Sequence, residues 1–292
     1  MNQRVHSIFE TPCIQGRTSY KYPFLAPMNV GVSSFPPLLC LTWVTDDSFS
    51  TEVENSTSIC LRSLFTMRQS SILAVASTTV AVACATDVPC LEVPACPSVG
   101  SVQYSKSMPE LEEFPLTQVD LCYDDDAIRL TFTAYNETNF YTNETYGIND
   151  PIWEYEVMEA FIYKGTEDPQ TYLEFEISPN NVTFQAFIYN PSKVRAKGAP
   201  MDTMFVADPI TDGLTATTEL DKPGETWVSS VRVPLGFFNV DSGNAKGTKW
   251  RMNFFRTVVD PKTFPDQLLG AWSPTDEASF HKTPFFGNIE FI

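Results

Sequence analysis

Short runs of alternating apolar and polar residues fill the chain beyond residue 96, and they constrain its fold more than any other feature. Turn-forming residues separate the runs, as in "DDD" at 124–126, "SPNN" at 178–181 and "DKPGE" at 221–225. The predicted strands are 116–123, 127–135, 152–164, 171–178, 182–190, 213–220, 226–235, 248–256 and 286–292. No stretch keeps a helical period for three turns. We therefore predict an all-β fold, a single antiparallel β-sandwich of the jelly-roll or immunoglobulin-like kind.

The segment at residues 67–85 has the composition of a secretory signal peptide. Met67 and Arg68 precede the apolar and small residues "ILAVASTTVAVACA". This run is shorter than the about 20 residues of a membrane-spanning helix. Residues 1–66 keep neither the period of a helix nor that of a strand. We interpret 1–66 as a misassigned or disordered extension ahead of a true start at Met67, and 86–292 as the folded domain.

The net charge indicates which classes of partner the protein can bind, and the glycosylation motifs indicate the compartment in which it acts. The formal net charge is −17, and no basic stripe is present that could release counterions from phosphates. Nucleic acids and anionic membranes are therefore excluded as expected partners. Sequons at Asn136, Asn143 and Asn181 are glycan acceptors if the chain enters a secretory route. We expect a secreted, monomeric glycoprotein with an uncharged partner.

Cysteines cluster near the start of the expected mature chain, at Cys84, Cys90, Cys96 and Cys122. Their spacings lack the paired CxxC motifs of a zinc site, so we expect disulfides. Cleavage after Ala83 would leave all four, and cleavage after Ala85 would leave three; a lipoprotein acylated at Cys84 is a further alternative. We favour a bridge between Cys96 and Cys122, because the intervening segment is long enough to return beside strand 116–123.

Two predicted strands each contain a single charged residue within an aromatic row. In "WEYEVMEAFIY" the row from Trp153 to Tyr163 is interrupted by Glu159, and in "WRMNFFR" the row that starts at Trp250 ends in Arg256. A buried ion pair between Glu159 and Arg256, or a β-bulge that shifts the phase, would explain both. A sugar site would explain them as well, since rings stack on a pyranose while charged groups bind its hydroxyls.

Several motifs together resemble a known family. They are "DPIWEYEVMEAFI" (150–162), "YLEFEISPN" (172–180), "WRMNFFR" (250–256), "GAWSP" (270–274) and "FHKTPFFGNIEFI" (280–292). Their order and spacing resemble the carbohydrate-binding module family 9-like domains, which share a group of sandwich folds with the DOMON domains. The resemblance covers about residues 97–292. It implies a β-sandwich that binds plant or cell-wall glycans, often with structural calcium. Such modules accompany glycoside hydrolases such as xylanases and could assist polysaccharide breakdown.

The family clamps a terminal sugar between two tryptophans, and carried over by position these would be Trp153 and Trp272. Either ring could instead be part of the core. Trp227 and Trp250 lie within strongly alternating strands, and we expect both in the core.

The resemblance also implies polar contacts to the sugar. Glu159 and Arg256 would bind its hydroxyls, with Asn253 as a weaker candidate. The family's further contacts come from a middle segment, and we cannot align that segment to an arginine in this chain. Lys193 and Arg195, in the loop "NPSKVRAKG", could substitute for it.

A second hypothesis is a haem-binding, DOMON-type electron-transfer module, which needs a histidine and a methionine as axial ligands. His281 is the single histidine of the expected domain, and Met158, Met201, Met204 or Met252 would have to meet it across a pocket. A third hypothesis is a structural wall or adhesion protein.

Catalysis and metal binding have weaker support. Glu154 and Glu156 on one strand face would lie about 6.7 Å apart along the strand, within the carboxyl separation of inverting glycosidases. An acidic row on a solvated face is common, so we expect a non-catalytic protein. Calcium could find oxygen ligands in the acidic turn 124–126 or at Asp208 and Asp212, although a solvated turn is the simpler interpretation.

Overall fold

The computed structural model describes residues 88–292, in which thirteen strands form two sheets. The strands are β1 (Cys90–Val93), β2 (Gly100–Lys106), β3 (Glu113–Tyr123), β4 (Ala127–Tyr135), β5 (Val157–Lys164), β6 (Thr171–Ile177), β7 (Thr183–Tyr189), β8 (Asp202–Phe205), β9 (Thr215–Asp221), β10 (Thr226–Pro234), β11 (Lys249–Val258), β12 (Leu268–Ala271) and β13 (Gly287–Phe291). Short 3-10 turns occupy Ile152–Glu154, Leu235–Phe238 and Thr283–Phe285. The expected signal segment at 67–85 and the extension at 1–66 lie outside the described residues.

The two sheets share one core. The large sheet has the order β1-β13-β11-β5-β6-β7-β8, with β12 also paired to β11, and the small sheet has the order β2-β3-β4-β10-β9. Their facing side chains form one apolar cluster that includes Trp227 and Trp250, both fully buried as expected. The predicted all-β sandwich is confirmed. One pairing departs from the antiparallel expectation, because β1 runs parallel to β13.

The outer face of the large sheet is also largely covered, and this decides where a ligand can bind. A second apolar cluster lies on that face, with Phe161 of β5, Tyr172 of β6 and Phe255 of β11 at its centre, and Phe286 packs over them. Central strands buried on both faces are unusual in an antiparallel sheet, which commonly keeps one solvated face. Polar side chains that point outward from β5 and β6 are consequently buried.

The strand predicted at 152–164 begins later than expected, at Val157. Ile152–Glu154 form a 3-10 turn after Pro151. Glu154 therefore does not share a strand face with Glu156. The Glu154 carboxylate accepts a hydrogen bond from the Tyr146 hydroxyl at 3.1 Å. The pair that could have suggested an inverting glycosidase is not formed.

Cys96 and Cys122 are disulfide-bonded with a Cα separation of 5.1 Å, as predicted. The bridge ties the segment ahead of β2 to the end of β3, and the Cys96 amide also donates to the Tyr123 carbonyl at 2.9 Å. Cys90 is disulfide-bonded as well. A cross-link of this span restricts the unfolded chain and stabilises the fold by about 3 to 4 kcal/mol.

Candidate functional site

A cavity of about 310 Å³ opens on the outer face of the large sheet. We call it the groove. Its floor is formed by Glu159 of β5 with Glu174 and Glu176 of β6, and its walls include Trp153, Phe184 and Phe280. The floor belongs to central strands, whereas Trp153 and Phe280 come from the connections before β5 and after β12.

The three floor glutamates are brought together by strand register. Glu159 pairs directly with Glu176 across β5 and β6, and Glu174 points to the same face because it lies two residues before Glu176. Carboxylate oxygens from the three residues all lie within 4.8 Å of one another. Among residues 88–292 they are the one such group of potential ligands for a cation. Their exposures are 2%, 6% and 1%, so water contributes little to their solvation.

Burial is the main reason why the pKa of each floor carboxyl is raised. Burial raises the pKa of Glu174 to about 8. Burial, and then the charge of neighbouring floor carboxylates, holds the pKa values of Glu159 and Glu176 well above their usual range. Like charges this close cannot all ionise in a medium of low dielectric. Glu176 Oε2 accepts no hydrogen bond in the structure. The floor therefore lacks the positive charge that would allow its three carboxyls to ionise together.

Basic side chains in the described part of the chain do not supply that charge. None of the three glutamates forms an ion pair with a lysine or arginine there; Glu174 has one contact at the limit, 4.0 Å from His281 Nε2. Burial lowers the pKa of His281 to about 3, so the imidazole is neutral. Arg195 lines the groove, and its charge acts to lower the pKa of Glu174, but burial outweighs it.

The walls present aromatic rings held by local contacts. Trp153 is 44% exposed, and its ring meets Phe184 edge to face, with 5.2 Å between centroids. Gln267 Nε2 donates to the Trp153 carbonyl at 2.7 Å, which fixes the 3-10 turn. Phe280 stacks on Phe255 at 4.2 Å. An exposed ring beside polar acceptors can bind the apolar face of a pyranose.

His281 is fixed at the groove by two contacts. Its Nδ1 lies 2.7 Å from the Tyr172 hydroxyl, and its carbonyl accepts a hydrogen bond from Asn190 Nδ2 at 2.8 Å. Of the four methionines considered as haem ligands, Met201 lines the groove with His281. Met158 and Met252 lie in the sandwich core, and Met204 is exposed on β8.

Arg256 lies between the sheets, away from the groove. Its Nη2 donates to Glu137 Oε2 at 2.8 Å, and its Nη1 donates to the Tyr135 carbonyl at 3.2 Å and to Thr117 Oγ1 at 3.3 Å. The ion pair with Glu159, one of the alternative explanations of the charged residues in the aromatic rows, does not form. Arg256 faces the interior of the sandwich, whereas Glu159 faces outward on the neighbouring strand.

Asn253 and Trp272 serve the packing of the segment after β12. Asn253 Nδ2 donates to the Ser273 carbonyl at 2.9 Å, and its Oδ1 accepts from the Ser273 amide at 3.0 Å. The Trp272 ring packs at 5.7 Å from Phe254 and leaves no room for a Cβ at Gly287. Trp272 borders a separate cavity beside Pro284. The structure thus brings Trp153 and Glu159 together and places Arg256, Asn253 and Trp272 elsewhere.

The sequence analysis missed Glu174, Glu176 and Phe280 as members of the site. The two glutamates alternate with Leu173 and Phe175, so they read as the solvated face of an ordinary strand. Only their pairing with the strand of Glu159 would have indicated a cluster.

In the acidic turns considered for calcium, the carboxylates of Asp124 and Asp208 accept hydrogen bonds from nearby groups. Asp124 Oδ1 accepts from the Ala127 amide at 2.8 Å, and its Oδ2 accepts from Arg129 Nε at 2.7 Å. Asp208 Oδ1 accepts from the Thr211 amide at 3.3 Å. These contacts give Asp124 and Asp208 a structural role in their turns.

Two of the three sequon asparagines are solvent-facing. Asn136 and Asn181 are exposed, whereas Asn143 is half-buried and donates to the Tyr155 hydroxyl at 3.3 Å. Within residues 88–292, no helical segment has the length and apolar character needed to span a bilayer.

Comparison with known proteins gives one close relative. No family model matches the sequence. An extracellular protein of Arthroderma benhamiae is 52% identical over 226 residues, which cover 77% of this chain and all of that protein.

Several solved structures are similar to this chain. A proposed carbohydrate-binding protein from Bacteroides uniformis has a TM-score of 0.53 at 16% identity and covers 70% of this chain and 99% of its own. A family 9 carbohydrate-binding module from Caldicellulosiruptor kristjanssonii, in complex with cellotriose, has a TM-score of 0.43 at 12% identity, over 69% of this chain and 93% of its own. The Bacteroides likeness shows a shared fold.

Proposed function

The chain belongs to the family of the extracellular protein of Arthroderma benhamiae, and we propose that it acts outside the cell as a non-catalytic carbohydrate-binding protein. The fold that it shares with a proposed carbohydrate-binding protein supports a glycan as the ligand. Fold alone does not define a function, so the proposal depends on the groove.

The observation that supports a sugar most directly is the exposed Trp153 ring beside the buried Glu159 carboxyl in one groove. A volume of about 310 Å³ lies at the small end of ligand pockets, which suits one or two sugar units. In this proposal Trp153 stacks on the apolar face of the ring, Phe280 forms a further wall, and Glu159 binds a polar group of the sugar. Arg256, Asn253 and Trp272 support the fold.

Secretion is the second part of the proposal. We propose that translation starts at Met67 and that 67–85 is the signal peptide. The relative matches over 226 residues, which equals the number of residues from Met67 to Ile292. Expression from Met67 in a fungal host should give secreted protein whose first residue is Cys84 or Thr86, as read by terminal sequencing. Peptides from residues 1–60 in secreted material would contradict it.

Truncation of the exposed tryptophan tests the glycan site. A glycan array would first identify a ligand, and calorimetry would then compare wild type with Trp153→Ala. We expect affinity to fall by about 1 to 3 kcal/mol, as for a hot-spot aromatic residue. The melting temperature should stay nearly unchanged because the ring is 44% exposed.

Leu220→Ala is the matched control, since Leu220 is 39% exposed on β9 of the small sheet. It should alter neither binding nor melting. Unchanged affinity in a well-folded Trp153→Ala protein would reject the groove as the glycan site. An absorbance spectrum of the same secreted protein tests the haem alternative, because bound haem would give an intense Soret band.

A further inference from the structure

The floor of the groove differs from other buried acidic positions in having no compensating donor set. Glu137 is paired with Arg256 at 2.8 Å. Glu156 accepts from the Tyr141 amide at 2.8 Å. By contrast, Glu176 Oε2 is buried without a partner and borders the cavity. Desolvating a carboxyl without a partner is costly, so this arrangement favours a ligand that supplies positive charge.

A neutral sugar would not use this floor well. Each hydroxyl needs one acceptor, and a single carboxylate accepts two or more hydrogen bonds. Three carboxyls within 4.8 Å cannot all ionise beside a neutral ligand, so that ligand would leave them at least partly protonated. A cation placed between them would favour their ionised forms and would form charge-assisted hydrogen bonds with them, which are the strong ones.

The shape and the walls of the groove indicate what kind of cation fits. A bare metal ion would occupy only a small part of about 310 Å³. Beyond the floor, the groove offers the faces of Trp153 and Phe280 together with polar groups at Gln267 and Ser279. Ser279 Oγ is buried and has no hydrogen-bond partner in the structure. This combination matches an organic cation that also has an apolar face and hydroxyl groups.

We propose that the groove recognises an amino sugar, a pyranose with a free ammonium group, through Glu159, Glu174 and Glu176. The inference rests on the proposed carbohydrate-binding function and names the class of sugar. An ammonium has three N–H donors, and the floor supplies one carboxyl for each. Trp153 stacks on the ring, and Gln267 and Ser279 bind hydroxyls.

Calorimetry with three matched ligands tests the inference. Oligomers of glucosamine, of N-acetylglucosamine and of glucose, equal in length and linkage, are titrated into wild-type protein at near-neutral pH. We expect the glucosamine oligomer to bind at least about tenfold more tightly than either neutral oligomer, a difference of about 1.4 kcal/mol.

Variants of the floor connect the preference to these residues. Glu176→Gln should lose the preference for the ammonium while keeping affinity for the neutral oligomers. Melting should show it to be folded, because a neutral amide of the same size replaces a carboxyl that has a buried oxygen without a partner. Glu154→Gln is the control: Glu154 is exposed and lies next to Trp153, outside the floor. It should retain the preference.

Other outcomes would overturn the inference. Neutral oligomers that bind as tightly as the glucosamine oligomer would reject the amino sugar and leave the proposed function standing. No binding of any sugar would reject both. Saturable calcium binding that is lost in Glu176→Gln, without a preference for the amino sugar, would assign the floor to a metal ion instead.

Discussion

Buried carboxyls lie on both faces of the large sheet, and the two faces neutralise them in different ways. Inside the sandwich, Glu137 is 1% exposed and pairs with an Arg256 guanidinium that is fully buried. Glu137 also accepts from the amides of Asn139 and Phe140 at 2.8 and 3.0 Å. On the outer face, the three floor glutamates have no such partner among the described residues. A carboxyl with a permanent partner belongs to the fold, whereas one without it is available to a ligand.

Removal of the interior cation should have the largest effect. Arg256→Met leaves Glu137 buried without its partner, and we expect a loss of about 3 to 5 kcal/mol in the free energy of unfolding. Urea denaturation measures it. Arg129→Met is the control, because Arg129 pairs with Asp124 at the surface and exposed pairs contribute about 0 to 1 kcal/mol. A folded Arg256→Met protein with wild-type stability but weakened sugar binding would place Arg256 in the ligand site instead.

Truncation of the two candidate stacking tryptophans should affect stability and sugar binding in opposite ways. Trp272 packs against Phe254 and Gly287 on the core side, so Trp272→Ala should cost about 3 kcal/mol of stability and leave the affinity of folded protein unchanged. Trp153→Ala should instead weaken sugar binding and leave the stability nearly unchanged. Thermal melts and calorimetry on both variants measure this. If Trp272→Ala weakened binding without lowering stability, the original pairing of Trp153 with Trp272 as a clamp would be supported.

Stability should depend on pH through the carboxyls whose folded pKa is raised. Burial, and then the charge of Glu137, raises the pKa of Glu156 to about 8, and burial raises that of Glu174 to about 8, from 4.5. The folded state therefore holds protons that the unfolded chain has released. The stabilisation is complete below about pH 4.5 and is lost as pH rises through about 8.

The free energy of unfolding should therefore fall between mildly acidic and alkaline pH, by about 1.4 kcal/mol for each unit by which a folded pKa is raised. Urea denaturation across that range measures it. Glu174→Gln should flatten the part of the slope that comes from the groove. A free energy of unfolding that rises over this range would show that the groove carboxyls are compensated in solution.

Many of the strands could be predicted, because the alternation of apolar and polar residues is visible within each short segment of the sequence. β4 begins and ends where the pattern predicted, at 127 and 135. β1, β8 and β12 have four residues each, too few for a period to emerge, and β2 offered only Val102 and Tyr104 as buried positions.

The site was predicted only in part, because its residues are buried by segments that are distant in the sequence. Glu159 was a candidate because it interrupts a local aromatic row, and Trp153 was a candidate through the resemblance to the family. Glu174 and Glu176 fit a normal pattern and are buried only because distant connections cover their face. Glu137 lies in the sequon that begins at Asn136, and nothing near it indicated Arg256 as its partner.

The groove combines a floor from central strands with walls that come partly from connections, and this has an evolutionary consequence. Register between β5 and β6 fixes the floor, so most changes there would disturb the sheet. Residues 195–203 and 278–281 contribute to the walls without pairing at the centre of the sheet. If the groove binds a glycan as proposed, descendants of one ancestor would diversify in the glycans that they accept by exchanging these connections, while inheriting the same floor.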